Sequence, residues 1–173
     1  MRLFTAICFD DETKNLLFSA EKTAEEKAKG SFSRKENLHL TLVFIGETER
    51  FSDIKKAISE IDFSAFDYKI EGTGTFEKGI FWAGIEENEN LRKLYEIIKK
   101  KLSDIGIETE ERKYIPHITL ARKFRAESGF DFAEVSKKLP TKIQRADRIS
   151  LMVSERIDGV LCYTEVFSKN LTQ

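Results

Sequence analysis

The sequence predicts an α+β protein of two similar lobes with a cleft between them. Three observations predict it. Both histidines of the 173-residue chain stand in one repeated setting, "HLTL" at 39–42 and "HITL" at 117–120. After each comes the same order, a short helical stretch and then a hairpin: "FEKGIFWAGI" in the first half, "ERIDGVLCYTEV" in the second. Between these, apolar runs rich in β-branched and aromatic residues alternate with segments whose apolar residues recur at helical spacing.

Taken in order, "RLFTAICF" (2–9) reads as a strand. Asp10 or Asp11 can cap a helix from about Glu12 to Lys29, and Gly30 suits its stop. "NLHLTLVFIG" is the next strand, and Ser52 caps a short helix, "DIKKAISEI". "FDYKIEGTGTF" and "GIFWAGI" form a hairpin around Glu77–Gly79. "NLRKLYEIIKKKLSDIG" is a helix with Leu91, Leu94, Tyr95, Ile98 and Leu102 on one stripe and Gly106 just beyond. "YIPHITLARKF" is a strand, and "DFAEVSKKL" (131–139) a short helix. "KIQRADRISLMV" and "GVLCYTEVF" close the chain, with Asp158-Gly159 between them as a tight-turn dipeptide. No linker interrupts this, so residues 1–173 read as one bilobal domain.

Charged residues make up 34% of the chain but nearly cancel, leaving a net charge of −1. Proteins that coat long duplex nucleic acid carry a basic excess, so that class is disfavoured; a small anion or an RNA end remains open through a local patch. The apolar run of "MRLFTAICFDDE" is too short for a signal peptide, and no segment approaches a membrane span. Cys8 and Cys162 lie in apolar strand-like stretches and suit reduced, packed thiols. The expectation is a cytoplasmic monomer with no membrane contact and no obligate protein partner.

On a strand, alternate side chains face opposite ways. Leu38, Leu40, Leu42 and Phe44 then face the core, and His39 with Thr41 faces away. Likewise Ile118 and Leu120 point inward while His117 and Thr119 point out. Two facing lobes would bring two imidazoles and two hydroxyls to one spot. Imidazoles titrate near neutral pH and can serve as base and acid together. Threonine hydroxyls can donate to phosphate oxygens. The set suits displacement at a phosphodiester without metal or other cofactor. A lone strand histidine is more often structural, but two structural histidines have no reason to share flanking Thr and Leu. A zinc site built from His39, His117, Cys8 and Cys162 is the alternative; no close-spaced ligand pair supports it.

The paired H-x-T-x motif resembles the two-histidine (2H) phosphoesterase superfamily. The likeness extends to the N-terminal "RLFTAI", to "ENLHLTLVFIGE", to "PHITLAR" and to the terminal "YTEVF". Together these look like its RNA 2′,3′-cyclic phosphodiesterase branch, also called the LigT-like or 2′-5′ RNA ligase family. The resemblance implies two antiparallel sheets forming a V-shaped cleft with helices outside. It implies hydrolysis of RNA 2′,3′-cyclic phosphates, or small cyclic nucleotides, to 2′-phosphomonoesters, with weak reverse 2′-5′ joining. His39 and His117 match the catalytic positions, as acid and base in that order. Thr41 and Thr119 match the phosphate-binding ones. Arg122 matches an arginine near the nucleotide, and Phe4 an aromatic that helps hold the base. A family tryptophan just before "ENLHLTL" is replaced here by Phe32.

Three further features are open. Strict alternation puts Arg122 on the inward side, so a strand end or a bulge would be needed to turn it into the cleft. Phe81 and Trp82 read as core or sheet-face residues rather than base platforms. Gly72 and Gly74 precede no helix and form no phosphate loop. The alternatives to hydrolysis are a sister phosphodiesterase activity on another cyclic or oligonucleotide substrate, and a nucleotide-binding module without turnover.

Overall fold

The computed structural model describes all residues, 1–173. The elements are β1 (Arg2–Cys8), α1 (Asp11–Glu25), β2 (Ala28–Phe32), β3 (His39–Glu47), α2 (Phe51–Ser59), β4 (Phe66–Tyr68), β5 (Ile70–Phe76) and β6 (Ile80–Ile85). They continue as α3 (Glu89–Asp104), β7 (His117–Ala126), α4 (Phe132–Ser136), β8 (Gln144–Ala146), β9 (Arg148–Ile157) and β10 (Val160–Asn170). Two four-stranded antiparallel sheets carry the architecture. One has the order β10-β9-β1-β3, the other β2-β7-β6-β5, and β4 pairs with β8 in a separate ribbon. The predicted α+β class and its antiparallel sheets are what the chain adopts.

The repeat in the sequence has an unexpected outcome in space. The hairpin β5–β6 that follows His39 joins the sheet of His117, against β7. The hairpin β9–β10 that follows His117 joins the sheet of His39, against β1. Each histidine strand therefore sits in a sheet completed by the other half of the chain.

Local chemistry explains the elements. Asp10 caps α1 by accepting the Thr13 N–H at 2.8 Å, and Asn88 caps α3 by accepting that of Leu91 at 3.0 Å. The α3 stripe Leu91, Leu94, Tyr95, Ile98 and Leu102 is buried, as its spacing predicts. Asp158 and Gly159 both take positive φ, 50° and 79°, matching the right-handed twist of the β9–β10 ribbon.

Four boundaries differ from expectation. α1 stops at Glu25, and residues 28–32 form β2 instead. Gly30 is not a helix stop: a Cβ there would meet the Arg122 carbonyl oxygen at 3.0 Å, so glycine permits close approach to β7. Ser52 lies inside α2, which begins after Arg50 with no side-chain cap. "FDY" leaves the hairpin to pair with β8. Helix α4 covers only Phe132–Ser136, capped by Asp131.

One buried group stands apart. Glu21 on α1 is 1% exposed, and neither carboxylate oxygen has a partner. Burial pushes its carboxyl up to about 9, so it is held neutral. Its contribution to stability is complete below the ordinary value of 4.5 and is lost as pH rises through about 9. Glu21→Met should therefore stabilise the fold by roughly 1–3 kcal/mol, or several degrees of Tm at about 2–4 °C per kcal/mol. Melting scans should show a larger gain at alkaline than at acid pH; a gain independent of pH would refute this account.

Candidate functional site

Both motif strands carry a bulge at the same place, the leucine three residues after the histidine. On β3, Thr41 pairs with Ala6 and Val43 with Thr5, leaving Leu42 without a partner. On β7, Thr119 pairs with Trp82 and Ala121 with Phe81, leaving Leu120 without one. Two consecutive residues are then buried in each strand, Leu42 with Val43 and Leu120 with Ala121. A bulge resets alternation. Phe44 thereby joins the face of His39 and Thr41, and Arg122 joins that of His117 and Thr119. This overturns the inward placement of Phe44, which packs with Phe4, Ala6 and Met152 rather than in the main core. It also supplies the bulge that Arg122 needed. The fully buried Thr5 secures the first bulge: its hydroxyl accepts the Val43 N–H at 3.0 Å and donates to the Val43 carbonyl at 3.4 Å.

The two imidazoles are held alike. His39 Nδ1 lies 2.6 Å from the Asn37 carbonyl oxygen, and His117 Nδ1 lies 2.8 Å from that of Ile115. A carbonyl only accepts, so each Nδ1 carries a proton and each Nε2 is left as the exchangeable atom. The Thr41 hydroxyl sits 2.8 Å from His39 Nε2 and donates to it in the neutral ring. Asn37 is itself fixed: its Nδ2 donates to the Leu161 carbonyl at 2.8 Å, and its Oδ1 accepts the Tyr163 N–H at 3.2 Å. Tyr114 connects the motifs, donating from its hydroxyl to the Thr41 carbonyl at 3.0 Å while stacking on Tyr95.

Aromatic rings wall both histidines. The His39 ring lies 4.9 Å from Phe4 and 5.1 Å from Tyr163. The His117 ring meets Phe76 edge-on at 4.9 Å, and Phe76 meets Trp82 at 5.2 Å. Phe81 is core, but Trp82 stands opposite Thr119 on the site face. The second glycine of "EGTGTF" finds its purpose here: a Cβ on Gly74 would lie 2.5 Å from the Trp82 ring.

Electrostatics keep both rings neutral at rest. His39 is partly buried, with the Phe4 and Tyr163 rings against it. Desolvation drives it down to about 4, with Lys14, His117 and Arg122 adding to the effect and the Asn37 carbonyl opposing it. His117 is lowered chiefly by desolvation, then by Arg112 and Arg122, against the Ile115 carbonyl. The charge of His117 acts on His39, and that of Arg122 on both, so the motifs share one field.

Phe4, His39 and Thr41 thus belong to one sheet, and His117, Thr119 and Arg122 share a face of the other. Asn37, Phe76, Tyr114 and Tyr163 were missed. The signal for Asn37 was present in "NLHLTL", two residues before the histidine. The zinc alternative finds no ligand set: no group of three or more His, Cys, Asp or Glu is placed to hold a metal ion. Cys8 Sγ instead contacts Met152 Sδ at 3.8 Å, and Cys162 faces Arg34.

Two antiparallel sheets with one H-x-T-x histidine strand in each are the pattern of a two-histidine phosphoesterase, and a family profile described as the 2′-5′ RNA ligase superfamily matches residues 12–158; the chain belongs to that superfamily. An RNA 2′,3′-cyclic phosphodiesterase of Thermotoga maritima is 35% identical over 134 residues, 70% of each chain. One from Methanocaldococcus jannaschii is 34% identical over 153 residues, 84% of this chain and 80% of its own. The crystal structure of apo LigT from E. coli superposes with a TM-score of 0.83 at 23% identity, covering 99% of this chain and 98% of that one. At that identity the likeness establishes the fold alone. LigT has also been crystallised with 3′-AMP (TM-score 0.82, 22% identity).

Proposed function

We propose that the chain, acting as one bilobal unit of residues 1–173, hydrolyses 2′,3′-cyclic phosphate ends of RNA to 2′-phosphomonoesters without a metal. The observation that carries this reading is the matched tethering of the two Nδ1 atoms, which leaves an Nε2 on each side of the cleft for proton transfer.

In the proposed reaction Thr41, Thr119 and Arg122 bind the nonbridging phosphate oxygens, and Phe4 lies against the base. His117 Nε2 takes a proton from water as the water oxygen attacks phosphorus. The P–O3′ bond breaks on the opposite side, and His39 Nε2–H delivers its proton to O3′. The order of roles follows the family. Thr41 contributes to the switch: once Nε2 is protonated, the hydroxyl can no longer donate to it and turns to phosphate. The anionic substrate also raises both imidazoles, so its arrival favours loading the acid.

Phosphorus NMR on the products of a short RNA ending in a 2′,3′-cyclic phosphate, incubated in excess chelator, tests this. A 2′-phosphomonoester is expected. A 3′-phosphate would reverse the orientation assigned to the histidines. Turnover lost to chelator and restored by Zn²⁺ or Mg²⁺ would refute the metal-free reaction.

A further inference from the structure

The proposed reaction needs only His39, His117, the two threonines, Arg122 and Phe4. It leaves unexplained an aromatic row on the other side of His117. Phe76 stands edge-on to that ring at 89°, and Trp82 lies 5.2 Å further along, opposite Thr119 in the sheet. Both residues are partly exposed, although the Trp82 Nε1–H is buried and has no hydrogen-bond partner. Neither is needed to fill the core, which Phe81 serves from the opposite face of the same strand. The indole is deliberately seated. Gly74 and Gly84 lie beneath it, where Cβ atoms would come within 2.5 Å and 3.2 Å of ring carbons. Glycine in a strand costs stability and marks a close approach; Gly84 also admits the Glu71 carbonyl oxygen, 2.7 Å from where its Cβ would lie, whereas at Gly74 the indole alone is the close neighbour and fixes the need for glycine.

We propose that Phe76 and Trp82 form a stacking shelf for a second nucleoside, the one that presents a free 5′-hydroxyl in place of the attacking water. This rests on the reading above, in which His117 is the base. In-line displacement puts the nucleophile on the side of phosphorus opposite the leaving O3′, and that is the side His117 occupies. A nucleoside on the shelf would place its 5′-oxygen there. Its O–H proton passes to His117 Nε2, the O5′–P bond forms, the P–O3′ bond breaks, and His39 protonates O3′. The product is a 2′-5′ linkage, and the reverse path cleaves one. The two walls then divide the labour. The Phe4 side holds the nucleotide that bears the phosphate, and the Phe76–Trp82 side holds its acceptor. Stacking is tolerant of base identity, so the shelf would accept any nucleobase.

Trp82 is the only tryptophan in the chain and reports directly on its own face. Protein saturated with 2′-AMP, which fills the product side, is titrated with adenosine while Trp82 emission is followed. A saturable quench from adenosine, beyond any change caused by 2′-AMP, is expected. Gly74→Ala, which drives a methyl into the indole, should weaken adenosine binding at least about fivefold, and Phe76→Leu should do so by a similar factor. The proposal is overturned if adenosine gives no saturable change, or if 2′-AMP alone produces the whole quench. It is also overturned if both variants bind adenosine as the parent does. Hydrolysis of 2′,3′-cyclic AMP is measured alongside. Its absence in the parent protein would sink the phosphodiesterase reading whatever the fluorescence shows.

Discussion

Replacing either histidine should lower turnover of a 2′,3′-cyclic phosphate end by about 10²–10⁴, the usual loss on removing one general acid or base. The two effects should be of the same order, because each ring is held by the same device, Nδ1 bound to the carbonyl two residues upstream. Alanine at 39 also removes a ring packed against Phe4 and Tyr163, so His39→Gln is the better control for shape. It keeps polarity and much of the volume but cannot supply a proton at neutral pH. Thr41→Ala and Thr119→Ala should cost less, since on the proposed reading each removes one hydrogen bond to phosphate. Rates on 2′,3′-cyclic AMP, with melting temperatures beside them, check the prediction. Near-full activity in a folded His39 or His117 variant would rule out the paired mechanism.

The second large effect concerns pH. In the proposed mechanism the catalytic form has one proton shared between the two rings. In the empty site His39 titrates near 4 and His117 below its ordinary 6.5. Above both values the one-proton form shrinks tenfold per pH unit, so kcat/KM should fall by about 10²-fold over two units of rising pH. The maximum should lie on the acid side of 6.5. The profile of kcat refers to the complex, where the phosphate anion raises both rings, and its decline should begin at higher pH. His39 is the more strongly depressed of the two, so within the one-proton form the proton favours His117, and the arrangement with the proton on His39 is a minor one. A ring that holds its proton poorly is also the stronger acid, which suits delivery to O3′. Initial rates across pH, analysed separately for kcat and kcat/KM, decide this. A flat kcat/KM profile, or one rising toward alkaline pH, would be incompatible with it. The same depressions mean that the unfolded chain binds more protons near pH 6. The fold therefore loses some stability as pH falls through 6.5, and acid points need a stability control.

What could be read in advance follows from how local each determinant is. The α3 stripe, the Asp158-Gly159 turn and the repeated H-x-T-x strands depend on neighbours a few residues away, and all were legible. The bulges were not. "HLTLVF" alternates acceptably without one, and the residue that secures it, Thr5, is 38 positions from Val43. Missing the bulge misplaced Phe44 and left Arg122 unresolved. Gly30 was misread for a related reason: a glycine after a helical stretch signals a stop, and only β7 pressing against it shows another purpose. Trp82 required knowing that it stands beside Thr119, a cross-strand fact that sequence spacing does not carry.

The exchange of hairpins bears on how the protein can be made and cut. Until β9 and β10 arrive, the strand of His39 has only β1 beside it, and a two-stranded ribbon is marginal in water. Asn37 then lacks Leu161 and Tyr163, its anchors, and the His39 ring lacks a wall. The sheet of His117 draws three of its four strands from residues 28–85 and waits for β7 to enter between them. Neither half of the chain can therefore mature alone. A nascent chain stays inert until its last ribbon docks, and closing contacts so distant in sequence makes assembly slow. Severed between α3 and β7, the two pieces would each hold what the other lacks, and activity would return only on mixing them.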